Sequence, residues 1–483
     1  MLRLAVLVSV LATGCKAKQA AHDPPAAGSA VAPAGSGVDA CAAAKPEGPI
    51  AWIRDDYAAA LACARQHKVP LVLDLWAPWC HTCLSMQTTV LVDPSFAADE
   101  KRFVFASLDT DREENAPALV RLAISAWPTF YVIGDDETVM ARFVGGASLA
   151  QFHAFLDAGA RAVVGGVAAA DAHLLGAERA LAVKDLATAD TELAATLAAA
   201  PVAWSRRPEV LGSLIMTEEK RGDLAGCLDT AEKYMNVTGN AAVASDFLVT
   251  AMSCADKREK AAKLAGAEAL AAAAPALAVV RRHAVARWKE LLADSGAQLS
   301  VDDRSDALAS LRETLDALGD KADAKATAEQ QRKLLDDAAA HAASPLAAMT
   351  YIWPRAEVYV YLGAPLDLVP ALEQSAKDLP TEYDPPARLG WIYFKANKLP
   401  EAAAWTDKAL ALAYGPRKAR VLSLRADIAA AAHDKATELH YRELAVKQFA
   451  DLPKGEENPT GLAAAQAALA AANGAGSGSG SAT

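Results

Sequence analysis

"LVLDLWAPWCHTC" (Leu71–Cys83) joins an apolar run holding one carboxylate, Asp74, to two cysteines separated by a His and a Thr. The run is short and apolar in both alternating registers, which suits a strand buried on both faces of a sheet. The residues from His81 onward, "HTCLSMQTTV", continue as helix, so the cysteines lie at a strand-to-helix turn. A metal site needs about four ligands, and the nearest other donors, Cys63 and His67, fall on a separate helix. Covalent haem attachment wants His directly after the second Cys, where this chain has Leu84. A purely structural bridge here would close too small a loop to stabilise much. Thiol–disulfide exchange suits the spacing, because a mixed disulfide at one thiol is attacked by its neighbour.

Outward from this stretch, helix and strand patterns alternate between residues 50 and 163. "WIRDDYAAALACARQHK" reads as a helix before it, and "RFVFASLD" as a second strand after it. "APALVRLAI" reads as a helix, and "TFYVI" and "TVMARFV" as a hairpin around "GDDE". "SLAQFHAFLDAGA" opens with Ser148 and Gln151 spaced as a capping box. This order implies an α/β sheet with helices on both faces.

From residue 167 to 472 the strand signals stop. Ala-, Leu- and charge-rich helices follow one another, punctuated by Pro201, Gly222, Pro275, Gly319, Pro345, Pro380 and Gly415. A Leu-Gly pair recurs at Leu175–Gly176 and Leu211–Gly212. Leu389, Gly390, Tyr393, Ala402 and Ala409 fall on the large, small and aromatic positions of a tetratricopeptide hairpin. An all-α helical-repeat domain is expected, with an irregular helical bundle as the alternative.

The 483-residue chain is too long for one core. Hydrophobic residues make up 53% and aromatics 6%, a balance that favours close-packed helices. The net charge of −11 carries no basic stripe, which argues against nucleic acid as a partner. "MLRLAVLVSVLATGC" holds one cation, Arg3, an apolar run too short to span a bilayer, and small residues before Cys15. "ATGC" resembles the lipobox of bacterial lipoproteins, although Ala12 stands where that pattern prefers Leu. The resemblance makes residues 1–15 a signal peptide with Cys15 acylated; ordinary cleavage beside an incidental Cys15 is the other reading. No later segment reads as apolar for long enough to cross a membrane, so the expected membrane contact is the lipid anchor alone. Residues 16–49 and 473–483, rich in small residues with Gly, Ser or Pro, read as a disordered tether and tail. A periplasm-facing lipoprotein of the bacterial envelope works where disulfides persist. Without Cys15 an even number of cysteines remains. Cys41 with Cys63, and Cys227 with Cys254, are candidate structural disulfides, with buried free thiols as the alternative.

Residues 50–163 resemble the thioredoxin-fold family. "LVLDLWAPWCHTC", "SLDTDRE", "ISAWPTFYVI" and "RFVGGASLAQFHAFLDAG" appear in that family's order, and the flanks look most similar to the C-terminal periplasmic domain of DsbD-type interchange proteins. The resemblance implies that Cys80 is the nucleophile, at a helix start where free N–H groups and the macrodipole stabilise a thiolate, and that Cys83 resolves the mixed disulfide. It implies that Asp74 is the buried acid taking the proton of Cys83; a hydrogen-bonded core Asp is the alternative. Pro128 matches the family's cis-proline, beside which a substrate pairs as an extra strand. Trp79, His81 and Trp127, the last larger than the residue often found there, are expected to meet substrate. A charged His81 would lower the Cys80 pKa, and a solvent-facing spectator is the alternative. The expected function is thiol–disulfide exchange on exported proteins with disulfides or oxidised thiols, as a reductase fed by a separate electron donor, with no cofactor or metal. The competing reading is an envelope scaffold, in which the repeats bind partners and the thioredoxin-like domain is a docking module.

Overall fold

The computed structural model describes residues 39–165 and 167–476, so the signal segment, Cys15 and the tether up to residue 38 lie outside the described residues. Six strands form one mixed sheet: β1 (Lys45–Glu47), β2 (Ile50–Arg54), β3 (Leu71–Trp76), β4 (Val104–Asp109), β5 (Thr129–Ile133) and β6 (Val139–Val144), in the order β1-β2-β4-β3-β5-β6. β3 lies inside the sheet, parallel to β4 and antiparallel to β5. Its alternate residues feed two cores. Leu71, Leu73 and Leu75 pack with Ala60, Cys63 and Ala64 of α1 (Tyr57–His67). Val72 packs with Phe105, Phe130, Val132 and with Phe152 and Phe155 of α4 (Leu149–Val164). Each large apolar side chain buried this way stabilises the sheet by about 1.5–3 kcal/mol, which is why the run carries no surface-facing register.

Three boundaries differ from the sequence reading. "WIR" is strand rather than helix, because Trp52, Ile53 and Arg54 pair with Phe105, Ala106 and Ser107 and the first two are buried. The helix starts only after Asp56, whose carboxylate accepts the Ala59 N–H. The expected tether to residue 49 also ends earlier: β1 pairs antiparallel with β2, and a Cys41–Cys63 disulfide ties the segment to α1. "APALVRLAI" yields only a short helix, α3 (Ala116–Leu119), after which the Ala123 N–H bonds the Ala182 carbonyl of the helical domain. The capping box at Ser148 and Gln151 closes the start of α4.

The helical domain is built from hairpins that share one turn. Lys184, Gly222, Gly319, Asn397 and His433 each take a left-handed conformation after a helix. The next residue's N–H (Asp185, Asp223, Asp320, Lys398, Asp434) returns to the carbonyl five residues back, satisfying an orphan acceptor of the helix end. The Asp185, Asp223 and Asp434 carboxylates then cap the following helix through Thr188, Gly226 and Thr437. At Gly390 a Cβ would lie 2.3 Å from Thr406 Oγ1, so the helices Asp384–Lys395 and Leu399–Leu412 approach to a distance only glycine permits. These are tetratricopeptide-like hairpins. A Cys227–Cys254 disulfide joins two neighbouring helices among them.

Pro275 lies within the helix Ala267–Ala293 rather than ending it, in its largely exposed first third. By length and composition that helix is apolar enough to cross a membrane, contrary to the sequence expectation. Its Val280, Ala284 and Trp288 pack into the core of the helical domain. The last described helix, Pro459–Gly476, runs past the expected start of the tail at 473.

Parts of the helical domain pack against the cysteine-bearing segment that follows the carboxyl end of β3. Leu84 sits in one core with Ala328, Leu335, Met349 and Ile352. Gly415 (φ 53°) would place a Cβ 2.1 Å from the Asp111 carbonyl, and Gly455 (φ 110°) 2.5 Å from that of Ala116. Both positions need glycine for the close approach and for the left-handed backbone.

Candidate redox site

β3 ends at Trp76 and the chain turns through Trp79 and Cys80 into α2 (His81–Ser85), which continues as a π-helical stretch, Met86–Val90. Cys80 is the N-cap, and its Sγ accepts the Cys83 N–H at 3.0 Å. Cys80 and Cys83 are joined as a disulfide with Cα atoms 5.2 Å apart. A backbone donor aimed at Cys80 Sγ stabilises negative charge on that sulfur rather than on Cys83.

Asp74 is buried in β3. Its Oδ2 accepts from Gln87 Nε2 and Ser107 Oγ, each at 3.2 Å, while Oδ1 has no partner. Burial pushes its pKa up to about 6 against the opposing pull of those two hydrogen bonds and of Arg54. A cavity of about 230 Å³ lined by Asp74, Gln87, Ser107 and Arg54 lies beside it. The Trp127–Pro128 peptide is cis, and Trp127 donates its indole N–H to Thr110 Oγ1 at 2.8 Å.

The other side of the cysteine pair is made by the helical domain. Cys80 is 5% exposed and Cys83 1%. His81 Nδ1 lies 2.9 and 3.0 Å from the two carboxylate oxygens of Asp302, the buried second residue of the helix Val301–Leu318. Burial opposes a charge on His81, but Asp302 and Asp306 together outweigh it and push the imidazole up to about 10. His81 is thus held against Asp302, in surroundings that favour its charged form, rather than being a solvent-facing spectator. Trp79 donates its indole N–H to Asp111 Oδ2 at 2.9 Å, meets Trp127 edge-on with ring centroids 5.1 Å apart, and carries the Arg417 guanidinium 3.8 Å above its ring. Tyr414 donates to Asp109 Oδ2 at 2.5 Å. Burial pushes Asp109 up to about 7 and Asp111 up to about 6.

The structure thus gathers Asp74, Trp79, Cys80, His81, Cys83, Trp127 and Pro128 around the carboxyl end of β3, where it pairs with the start of β5. Cys41–Cys63 and Cys227–Cys254 lie apart from it as separate disulfides. Sequence reasoning missed Asp302, Asp111, Tyr414 and Arg417. Only Gly415 carried a signal, and it read as a helix breaker rather than as a docking point.

Fold and site define a thioredoxin-like redox domain followed by a tetratricopeptide-like helical domain. Residues 51–132 match the Thioredoxin-like family. A stretch of 54 residues is 39% identical to the thiol:disulfide interchange protein DsbD of Vibrio vulnificus, in strains CMCP6 and YJ016 alike. It covers 11% of this chain and only 9% of those relatives. Among solved structures, a tetratricopeptide repeat protein from Parabacteroides merdae aligns over 63% of this chain and 99% of its own, at 14% identity and a TM-score of 0.41. A thermophilic tetratricopeptide repeat protein from Thermus thermophilus aligns over 62% and 100%, at 14% identity and a TM-score of 0.24. At those scores neither adds to what the hairpins themselves establish.

Proposed function

We propose that the chain is a thiol–disulfide oxidoreductase of the bacterial cell envelope, anchored through Cys15, that acts on exported proteins and runs as a reductase supplied by a separate electron donor. The observation that carries the reading is the N-cap geometry of Cys80, with its Sγ held by the Cys83 N–H. In the reduced protein Cys80 thiolate attacks a substrate sulfur, the substrate disulfide breaks, and its other half leaves as a thiol. Cys83, giving its proton to Asp74, then attacks Cys80 Sγ, re-forms the disulfide and releases the reduced substrate. Two electrons pass from protein to substrate in each cycle. The matched segment of a thiol:disulfide interchange protein supports the exchange chemistry and the envelope setting.

The test is Cys83→Ala. Attack by Cys80 should then stall, and reducible adducts with envelope proteins should accumulate, while the variant lacking both thiols accumulates none. Burial of both sulfurs beneath the helical domain favours the second reading, an envelope scaffold with the sheet domain as docking module. There, partners bind equally well with both thiols removed.

A further inference from the structure

Two cavities flank Trp127, and their charges are opposite. One, of about 210 Å³, is lined by Thr82, Trp127 and the carboxylates of Asp246, Asp303 and Asp306. The other, of about 600 Å³, runs from Trp79 and Trp127 to the start of the helix Gly415–Ala431 and the segment Gly455–Thr460. Its wall holds the cations Lys184, Lys220, Arg417 and Arg420 together with the acids Asp111, Glu456 and Glu457. Among the described residues none of these four cations makes a salt bridge, although the chain carries an excess of acids. Lys220 Nζ donates only to the Ser125 carbonyl, and Arg417 lies over the Trp79 ring. The same wall holds Glu456, 7% exposed, with both carboxylate oxygens buried and without a donor. Asp111 draws on Arg417 and Arg420, and Glu457 on Lys184, yet the cations outnumber the acids. Such an excess around an open cavity attracts anions, and an orphaned buried carboxylate calls for a donor. Trp79 lines this cavity on one side and packs against the Cys80–Cys83 cluster on the other.

We propose that this cavity receives a small acidic disulfide, a short cysteine peptide bearing carboxylates and an ammonium group, which the Cys80–Cys83 pair then reduces. The proposal rests on the oxidoreductase reading and adds a small-molecule substrate to its protein substrates. The ligand's carboxylates lie against Arg417, Arg420, Lys184 and Lys220, and its ammonium supplies the donor that Glu456 lacks. Parting the Trp79–Trp127 contact brings the ligand's sulfurs to Cys80. Cys80 thiolate attacks one of them, the ligand S–S bond breaks, and the first half leaves as a thiolate that takes a proton from water. Cys83 attacks Cys80 Sγ and frees the second half as a thiol. Two electrons pass from the protein dithiol to the ligand, and a separate dithiol donor restores the protein. Four cations face three acids in this wall, and burial draws Glu456 up to about 7, which weakens its offset near neutral pH.

The full chain, pre-reduced, is mixed in single turnover with oxidised glutathione (acidic), 2-hydroxyethyl disulfide (neutral) or cystamine (a dication). Oxidised glutathione should react about tenfold faster than the neutral probe, and cystamine slowest. Replacing both Arg417 and Arg420 by Gln should cut the acidic-over-neutral ratio by roughly tenfold, the worth of one or two charge-assisted contacts. S-Methylglutathione, which cannot exchange, should bind the oxidised protein in a salt-sensitive way and bind the double variant more weakly. An equal fall for all probes in the variant assigns the arginines a structural role and overturns the site. Preference for cystamine moves the ligand to the acidic cavity and also overturns it. Reduction of the neutral probe without any charge preference, or of a protein disulfide (insulin) alone, defeats this proposal alone, whereas no reduction of any probe or of insulin defeats the oxidoreductase reading and this proposal with it.

Discussion

The two sides of the cysteine pair are built from different parts of the chain. Beneath it, Asp74, Gln87 and Ser107 come from the sheet and the helix that follows Cys80, all within 33 residues of Asp74. Above it, Asp302 lies 221 residues from His81, and Tyr414 lies 305 residues from Asp109. The near side supplies the chemistry of exchange, a capped thiolate and a buried acid. On the proposed reading, the far side controls what reaches the sulfur. Redox character and access are thus separable, and each can be broken without the other.

The largest effect is expected from Gly415→Val combined with Gly455→Val. The new side chains would overlap the Asp111 and Ala116 carbonyls, and the left-handed backbone at both positions disfavours a β-branched residue. The C-terminal hairpins should come away from the sheet domain. Alkylation of Cys80 by iodoacetamide in the reduced protein should rise at least about tenfold, with stability falling by about 4 kcal/mol or more. If helical content by circular dichroism stays constant while reactivity does not rise, the helical domain does not control access.

Removing the Cys227–Cys254 disulfide with paired Ser substitutions should cost about 3–4 kcal/mol, from the 27-residue separation it closes. Denaturant unfolding measures the loss, and the reactivity of Cys80 should stay as it is. A change in that reactivity would mean that the two regions are coupled.

Asp74→Asn sharpens the near side. Burial raises the Asp74 pKa to about 6, so the folded protein holds that proton more tightly than the unfolded chain does. The favourable contribution is complete below about pH 4 and is lost as pH rises through about 6. The variant should therefore gain stability relative to wild type on going from pH 4 to pH 8, by about 2–3 kcal/mol. Asn retains an oxygen to accept from Gln87 and Ser107. Single-turnover resolution of mixed disulfides near neutral pH should slow; unchanged kinetics would reduce Asp74 to a core residue.

The smallest effect is expected at Asp302. With the His81 pKa raised to about 10, the pair stabilises the fold fully below about pH 6.5 and loses that contribution as pH rises through 10. Asp302→Asn should cost about 1 kcal/mol at pH 6, after allowance for solvent reaching the partly exposed imidazole, and little at pH 10 and above. A constant difference across that range would mean that the interaction is a neutral hydrogen bond.

Legibility in the sequence follows the same division. Leu71–Cys83 revealed its strand, turn and helix because burial on both faces and the cysteine spacing are local properties. Asp74 stood out for the same reason, as a lone carboxylate among apolar neighbours. "WIR" misled because a short buried strand followed directly by a helix shares apolar periodicity with that helix, and only its pairing with Phe105–Ser107 tells them apart. Asp302 had no signal at all. It lies in a charged run, "DDRSD", that reads as a solvated helix start until another part of the chain is placed against it. Gly415 and Gly455 were visible as glycines, but their need for close approach belongs to the tertiary structure.

The central claim is that Cys80–Cys83 is a working redox couple while Cys41–Cys63 and Cys227–Cys254 are structural. Equilibrating the folded full chain with dithiol buffers, and quantifying each disulfide by mass spectrometry, tests it most directly. Cys80–Cys83 should be reduced alone, reversibly, at a potential between about −270 and −120 mV, with the other two disulfides intact. Reduction of Cys80–Cys83 only below about −300 mV, together with the other two or on unfolding, would make it a structural bridge and contradict the account.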